Sequence, residues 1–173
     1  MIDVGTLGGI QSFAMAINGR GQVVGGSNTG SGTWHAFLWD AGTMVDLGTL
    51  GGAWSRATDI SPSGDVVGSS TMADGQEHAF LWERGLMIDL GTLGGAVSVA
   101  QAVNARGQIV GFSETSGGEI HAFLWARGVI TDLGASLGTI SYANDIDPSG
   151  RYVVGSVGRY GAGTMRAALW TLR

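Results

Sequence analysis

The heptapeptide Asp46-Leu47-Gly48-Thr49-Leu50-Gly51-Gly52 decides the fold because it recurs: Asp3, Asp46, Asp89 and Asp132 each open an Asp-Leu-Gly or Asp-Val-Gly phrase, 43 residues apart. A fixed period of that length marks a repeat architecture, in which each unit buries its apolar face against its neighbour. Outward from the heptapeptide the units read alike. Ser12, Ser55, Ser98 and Ser141 come next, and a short run closes on Ile17, Ile60, Val103 or Ile146. A turn such as Asn18-Gly19-Arg20-Gly21 or Ser61-Pro62-Ser63-Gly64 leads into Val-Val-Gly or Ile-Val-Gly. A polar loop then ends at His-Ala-Phe-Leu-Trp, beginning at His35, His78 and His121, with Arg166-Ala167-Ala168-Leu169-Trp170 in the fourth unit.

The apolar runs are short, rich in Val, Ile, Phe, Leu and Trp, and bounded by Gly, Asn, Asp or Ser, which is the pattern of strands and not of helices. The turn after Ile or Val fits a type I turn closed by a glycine at positive φ, so it joins a β-hairpin. Each unit then holds four strands, expected near residues 13–18, 22–27, 35–39 and 43–48 in the first copy. Four antiparallel strands in about 43 residues make one β-propeller blade. The first phrase, Ile2 to Thr6, reads as a lone fourth strand, while Ala167 to Leu172 reads as a third strand. The sequence therefore predicts an all-β, four-bladed β-propeller forming a single domain over residues 1–173, with the ring closed by pairing of the N-terminal strand in the last blade and the protein a monomer. A β-solenoid is the competing arrangement.

The Asp-Leu-Gly-Thr-Leu-Gly-Gly and His-Ala-Phe-Leu-Trp phrases resemble those of the HAF family of probable extracellular repeat proteins, over nearly the whole chain. That resemblance implies an exported bacterial repeat protein and brings no activity with it. The fourth copy departs from the pattern at Ala135-Ser136-Leu137 and at Arg166.

Composition narrows the chemistry. Glycine supplies 32 of the 173 residues, yet there are only two prolines and 44% of the residues are hydrophobic, so neither collagen nor a disordered chain fits. Cysteine is absent, and all nine basic residues are arginine, which removes thiolate, disulfide, Schiff-base and phosphate-loop lysine chemistry together. A net charge of −5 with no basic patch argues against nucleic acid and against an anionic membrane as partners. No apolar stretch approaches a membrane span, and residues 1–20 lack the pattern of a secretion signal.

The repeated polar residues read first as structural. The three histidines open the third strand of successive blades, too far apart to share one metal ion, and each is expected to bond within its own blade, to the repeated Ser or Asp. Asp3, Asp46, Asp89 and Asp132 are expected to bond turn amides, and Trp39, Trp82, Trp125 and Trp170 to pack the core. Functional candidates lie where the copies differ. Gln11, Phe13, Trp54, Arg56 and Tyr142 fall in the connection from the fourth strand of one unit to the first strand of the next, and Trp34, Glu77 and Tyr160 belong to the loops between the second and third strands, with Asp74, Glu114, Glu119 and Arg159. Aromatic faces mixed with charges suit a carbohydrate or another small polar ligand held without a cofactor.

Asp59 and Asp145 answer to Ala16 and Ala102, so copies alternate in pairs, and the two carboxylates would face each other across a four-bladed ring. There they could share a Ca²⁺ or Na⁺ ion, serve as the acid and base of a glycan hydrolase or lyase, or simply bond neighbouring amides. A protein-binding scaffold, or a part of a larger extracellular repeat protein, is the remaining reading.

Overall fold

The computed structural model describes residues 1–134, 140–159 and 163–172. Among them are fifteen strands and no helix. Blade 1 comprises β1 (Gly8–Ile17), β2 (Val23–Thr29), β3 (Trp34–Asp40) and β4 (Thr43–Asp46). Blade 2 comprises β5 (Gly51–Ile60), β6 (Val66–Met72), β7 (Glu77–Glu83) and β8 (Leu86–Asp89). Blade 3 repeats the pattern with β9 (Gly94–Val103), β10 (Ile109–Thr115), β11 (Ile120–Ala126) and β12 (Val129–Asp132), and blade 4 has β13 (Ile140–Ile146), β14 (Tyr152–Gly158) and β15 (Met165–Thr171). Neighbouring strands within each blade are antiparallel and joined in sequence order.

Glycine shapes the inner hairpin of each blade. At the turn, the Gly21 N–H donates to the Asn18 carbonyl at 3.0 Å, with Gly21 at φ +78° as the type I turn requires. Further along, a Cβ on Gly25, Gly68, Gly111 or Gly155 would collide with the carbonyl oxygen of Phe13, Arg56, Val99 or Tyr142 on the adjacent strand. The bare backbone there lets the first strand bulge, which appears as a register shift between Ala57 and Asp59 and its counterparts. The first strand is also longer than the sequence suggests. It starts at Gly8 because the Gly-Gly phrase pairs with the far end of β2, Gly8 opposite Thr29, so Gln11 and Trp54 lie in strands and not in loops.

Three seams hold successive blades together. In the first, Val24, Ala36 and Leu38 of blade 1 pack on Ala57, Ile60, Val66 and Phe80 of blade 2, with Trp82 at the margin. The second and third seams reuse the same positions, centred on Val67 with Ile109 and on Val110 with Val153. Each fully buried side chain of this kind is worth roughly 1.5–3 kcal/mol, so a seam contributes on the order of 10 kcal/mol before conformational entropy is subtracted. A hydroxyl clamp accompanies each: Ser55, Ser98 and Ser141 Oγ accept the N–H of Ala36, Ala79 and Ala122 at 2.8 Å.

The expected ring closure is not formed. Among the described residues β15 bonds to β14 alone, Met1–Thr6 lie outside any strand, and no hydrophobic cluster joins blade 4 to blade 1. Seams built on the same core positions and serine clamp impose a similar step from blade to blade, and a ring closes only if that step divides a full turn by the number of blades. Three steps do not bring the first and last blades together. The result is an open series of propeller-type blades.

Two outcomes follow for stability. Gly111→Ala should destabilise the protein by about 4 kcal/mol or more, because the clash is with backbone and no side chain can yield, and chemical denaturation would measure it. Asp147, which bonds the Ser149 hydroxyl and the backbone amides of Tyr152, Ser149 and Arg151, has its carboxyl held down to about 2 from the ordinary 3.8. A depressed carboxyl stabilises the fold above its unfolded value and loses that effect as pH falls toward its folded value. The difference in melting temperature between the wild type and Asp147→Ala should therefore shrink between about pH 4 and pH 2, in thermal unfolding followed by circular dichroism.

Candidate functional site

Blades 1 and 2 meet at a cleft of about 250 Å³, lined by Phe13, Met15, Trp34, Trp54, Ser55 and Arg56 over a floor at Gly26. Phe13 and Trp34 stack with ring centres 5.7 Å apart and planes 15° from parallel. The Arg56 guanidinium lies 5.9 Å from the centre of the Trp54 ring, within the range of cation–π attraction. Trp54 is held at the start of β5: its N–H donates to Thr71 Oγ1 at 3.0 Å and its carbonyl accepts from Ser70 Oγ at 3.1 Å. Gly26 leaves the floor open, since a Cβ there would stand 3.4 Å from the Trp34 ring and 3.6 Å from Arg56 Cγ.

The cleft lies at a seam unlike the other two. Between blades 2 and 3 a backbone bridge pairs Glu77 with Val97, and between blades 3 and 4 another pairs Ile120 with Ile140. Trp34 and Trp54 hold the corresponding positions in the first seam, and no bridge joins β3 to β5. Two indoles stand where the other seams close their backbones together.

Phe13, Trp34, Trp54 and Arg56, four of the residues singled out from the sequence, thus converge on one site. Tyr142 does not join them. It occupies the place of Arg56 one pair of blades further on, where its ring meets the edge of Phe112 at 5.0 Å and an interplanar angle of 72°. Gln11 is exposed on β1 and its carbonyl accepts from Ser27 Oγ, while Glu77 sits at the bridge of the second seam. Tyr160 lies outside the described residues. Met15 and Gly26 were not singled out, although the alignment of Gly26 with Ser69, Phe112 and Ser156 carries the signal: one copy lacks the side chain that another fills with a ring.

Asp59 is bound to backbone on both sides. Its Oδ1 accepts the Ile60 N–H at 2.8 Å and its Oδ2 accepts the Val103 N–H of blade 3 at 2.9 Å. Burial pushes its carboxyl above the ordinary range, the two amides oppose that, and the charge of Asp145 pushes the same way as burial. Asp145 is exposed, and its Oδ1 accepts the Ile146 N–H at 2.8 Å.

The repeated histidines bond where the sequence suggests. His35, His78 and His121 place Nδ1 at 2.8–3.0 Å from the carboxylates of Asp46, Asp89 and Asp132, whose Oδ1 atoms also accept the N–H of Gly48, Gly91 and Gly134. Among the described residues, no group of three His, Cys, Asp or Glu side chains is placed to hold a metal ion. A second cleft, about 280 Å³, lies on blade 4 beside Arg159, Thr164 and Arg166.

Truncation of Asp59 to alanine, the residue that blades 1 and 3 carry at this position, should cost about 1–3 kcal/mol because it leaves the Val103 and Ile60 amides without their acceptor. Denaturant titration would measure it, and occupancy of the aromatic cleft should be unaffected.

No family model matches the chain, and no curated protein matches it in sequence. Solved structures do. TolB from Acinetobacter baumannii matches with a TM-score of 0.67 at 15% identity, over 93% of this chain and 41% of that one. A putative TolB from Agrobacterium tumefaciens matches with a TM-score of 0.53 at 16% identity, over 94% of this chain and 62% of that one. The chain spans less than two thirds of either. At these identities the likeness is one of fold: the blades are those of a β-propeller.

Proposed function

We propose that the chain is a non-catalytic binding module that takes a carbohydrate, or a small polar ligand with a flat apolar face, in the aromatic cleft between blades 1 and 2. One observation carries this reading. Stacked Phe13 and Trp34 face an indole, Trp54, that is itself covered by a guanidinium. Ring faces accept the apolar side of a pyranose, and Arg56 donates hydrogen bonds in a fixed fork to hydroxyl or carboxylate oxygens. The volume, about 250 Å³, lies below the ~300–1,000 Å³ of pockets that bury drug-sized ligands, so it suits a single ring with the rest of a glycan outside.

The residues lining the cleft include no acid, which favours binding over hydrolysis. The alternative pair, Asp59 and Asp145, is less suited to acid–base work because both oxygens of Asp59 already accept backbone amides.

A glycan array followed by calorimetry on its hits tests the proposal. Trp54→Ala and Phe13→Ala should each weaken binding by about fivefold to tenfold, since one aromatic face contributes on the order of 1 kcal/mol. Gly26→Phe, which copies the Phe112 of blade 3, should abolish binding and leave the unfolding midpoint nearly unchanged. An array without hits, or hits that survive all three substitutions, would overturn it.

A further inference from the structure

The two end faces of the open series expose positions that the seams bury. On blade 4, Val154 and Leu169 hold the places of Val24 and Leu38, which are buried in the first seam; here they are 46% and 63% exposed. On blade 1, Ile17 holds the place of Ile60 and is 67% exposed, with Ala14, in the place of Ala57, exposed beside it. The seam that joins blades 1 to 2, 2 to 3 and 3 to 4 therefore has its forward half bare on blade 4 and its backward half bare on blade 1.

The polar partners are divided in the same way. Ser12 is set in blade 1 as Ser55 is in blade 2, with its hydroxyl donating to the Gly5 carbonyl at 2.7 Å as Ser55 does to Gly48. The amide that would complete its clamp is that of Ala167, on the free edge of β15. Asp59 reaches forward to the amide of Val103, and its counterpart Asp145 would reach forward to the amide of a residue in the place of Ile17.

The N-terminal residues complete the pattern. Gly5–Leu7 is anchored on blade 1 as Gly48–Leu50 is on blade 2, the Leu7 N–H donating to Ser27 Oγ and the Leu50 N–H to Ser70 Oγ, each at 2.9 Å. Residues Met1–Val4 then correspond to the end of β4, which lies on the preceding blade. They project with Ile2 76% exposed, and blade 4 has no fourth strand among the described residues. In blade 1 the register sets Leu38 opposite Val45 and Phe37 opposite Asp46. Transferred to blade 4, it sets Leu169 opposite Ile2 and Ala168 opposite Asp3. The His35–Asp46 contact becomes Arg166 with Asp3, a fixed cation facing a carboxylate that already accepts the Gly5 N–H at 2.9 Å as Asp46 accepts that of Gly48.

We propose that a second copy of this chain docks head to tail, its residues 1–7 supplying the missing fourth strand of blade 4 and its blade 1 covering the bare face of β14 and β15. Two copies doing this for each other use up both free edges and form one closed ring.

Light scattering coupled to size exclusion should give twice the 17.7 kDa of the chain, and a variant lacking residues 1–7 should run as a single chain. The protein has no cysteine, so Ile2→Cys and Leu169→Cys can be made separately and mixed. Directly opposed strand residues are close enough for a disulfide. The mixture should yield a reducible cross-linked pair in several-fold excess over either variant alone. Asp3→Arg and Arg166→Asp should each weaken the pair by tenfold or more, and the double exchange should restore it; circular dichroism shows whether the variants remain folded. A single-chain mass at every concentration, with no cross-link between the two variants, would overturn the proposal. So would a cross-link within one chain carrying both cysteines, because the strand would then be supplied in cis.

Discussion

The serine hydroxyl between blades is the constraint on which the rest of this structure depends. Ser55, Ser98 and Ser141 each accept an amide from the third strand of the preceding blade and donate to the carbonyl of Gly48, Gly91 or Gly134 in their own unit. All three are fully buried. A hydroxyl with both functions engaged inside an apolar seam fixes the spacing and direction of the next blade, whereas apolar packing alone would leave it free to slide. The donor is a backbone amide and the acceptor a backbone carbonyl, so the geometry hardly changes with the side chains around it. That is why one seam can be used three times with different residues in it.

A second set of cross-blade bonds alternates. Blades 1 and 3 reach forward through Asn18 and Asn104, whose side-chain amides donate to the carbonyls of Ser61 and Asp147 in the turns of blades 2 and 4. Blade 2 reaches forward through Asp59 to the Val103 amide. The seams thus follow the order asparagine, aspartate, asparagine, and blade 4 carries Asp145 at the position that Asp59 holds in blade 2. The two-blade period is also visible at the cleft. Gly26 and Arg56 leave the first seam open, and Phe112 with Tyr142 fills the third.

Most of the blade was legible in the sequence because its requirements are local and repeated. The turn glycines, the Val-Val-Gly strand and the His–Asp pairs each depend on residues within one unit, and internal copies separate what a blade needs from what it tolerates. Closure was not legible. It depends on the angle accumulated over three seams, which no single column of the alignment records, and so the phrase Ile2 to Thr6 suggested a ring that the described chain does not form. The site was legible in part. Phe13, Trp34, Trp54 and Arg56 stood out as departures from their columns, but Tyr142 stood out equally, and only the structure assigns it to another seam. Gly26 was hidden because the departure there is the loss of a side chain.

These departures differ in kind, and the difference is informative. Where a repeated residue is lost without a neighbour changing, drift in an unconstrained position is sufficient explanation. Here the changes come in facing sets. Trp34 and Trp54 replace a backbone bridge together, and Gly26 makes room beside Trp34 and Arg56. At blade 4, Arg166 stands where the other blades have histidine, at the place that the proposed head-to-tail pair sets opposite Asp3 of a second copy. Histidine serves an Asp eleven residues away on the next strand of the same blade, whereas a guanidinium, always charged and longer, suits a carboxylate that a second copy would supply. The repeat thus explains the scaffold, and its coordinated exceptions fall at the cleft between blades 1 and 2 and at the open edge of blade 4.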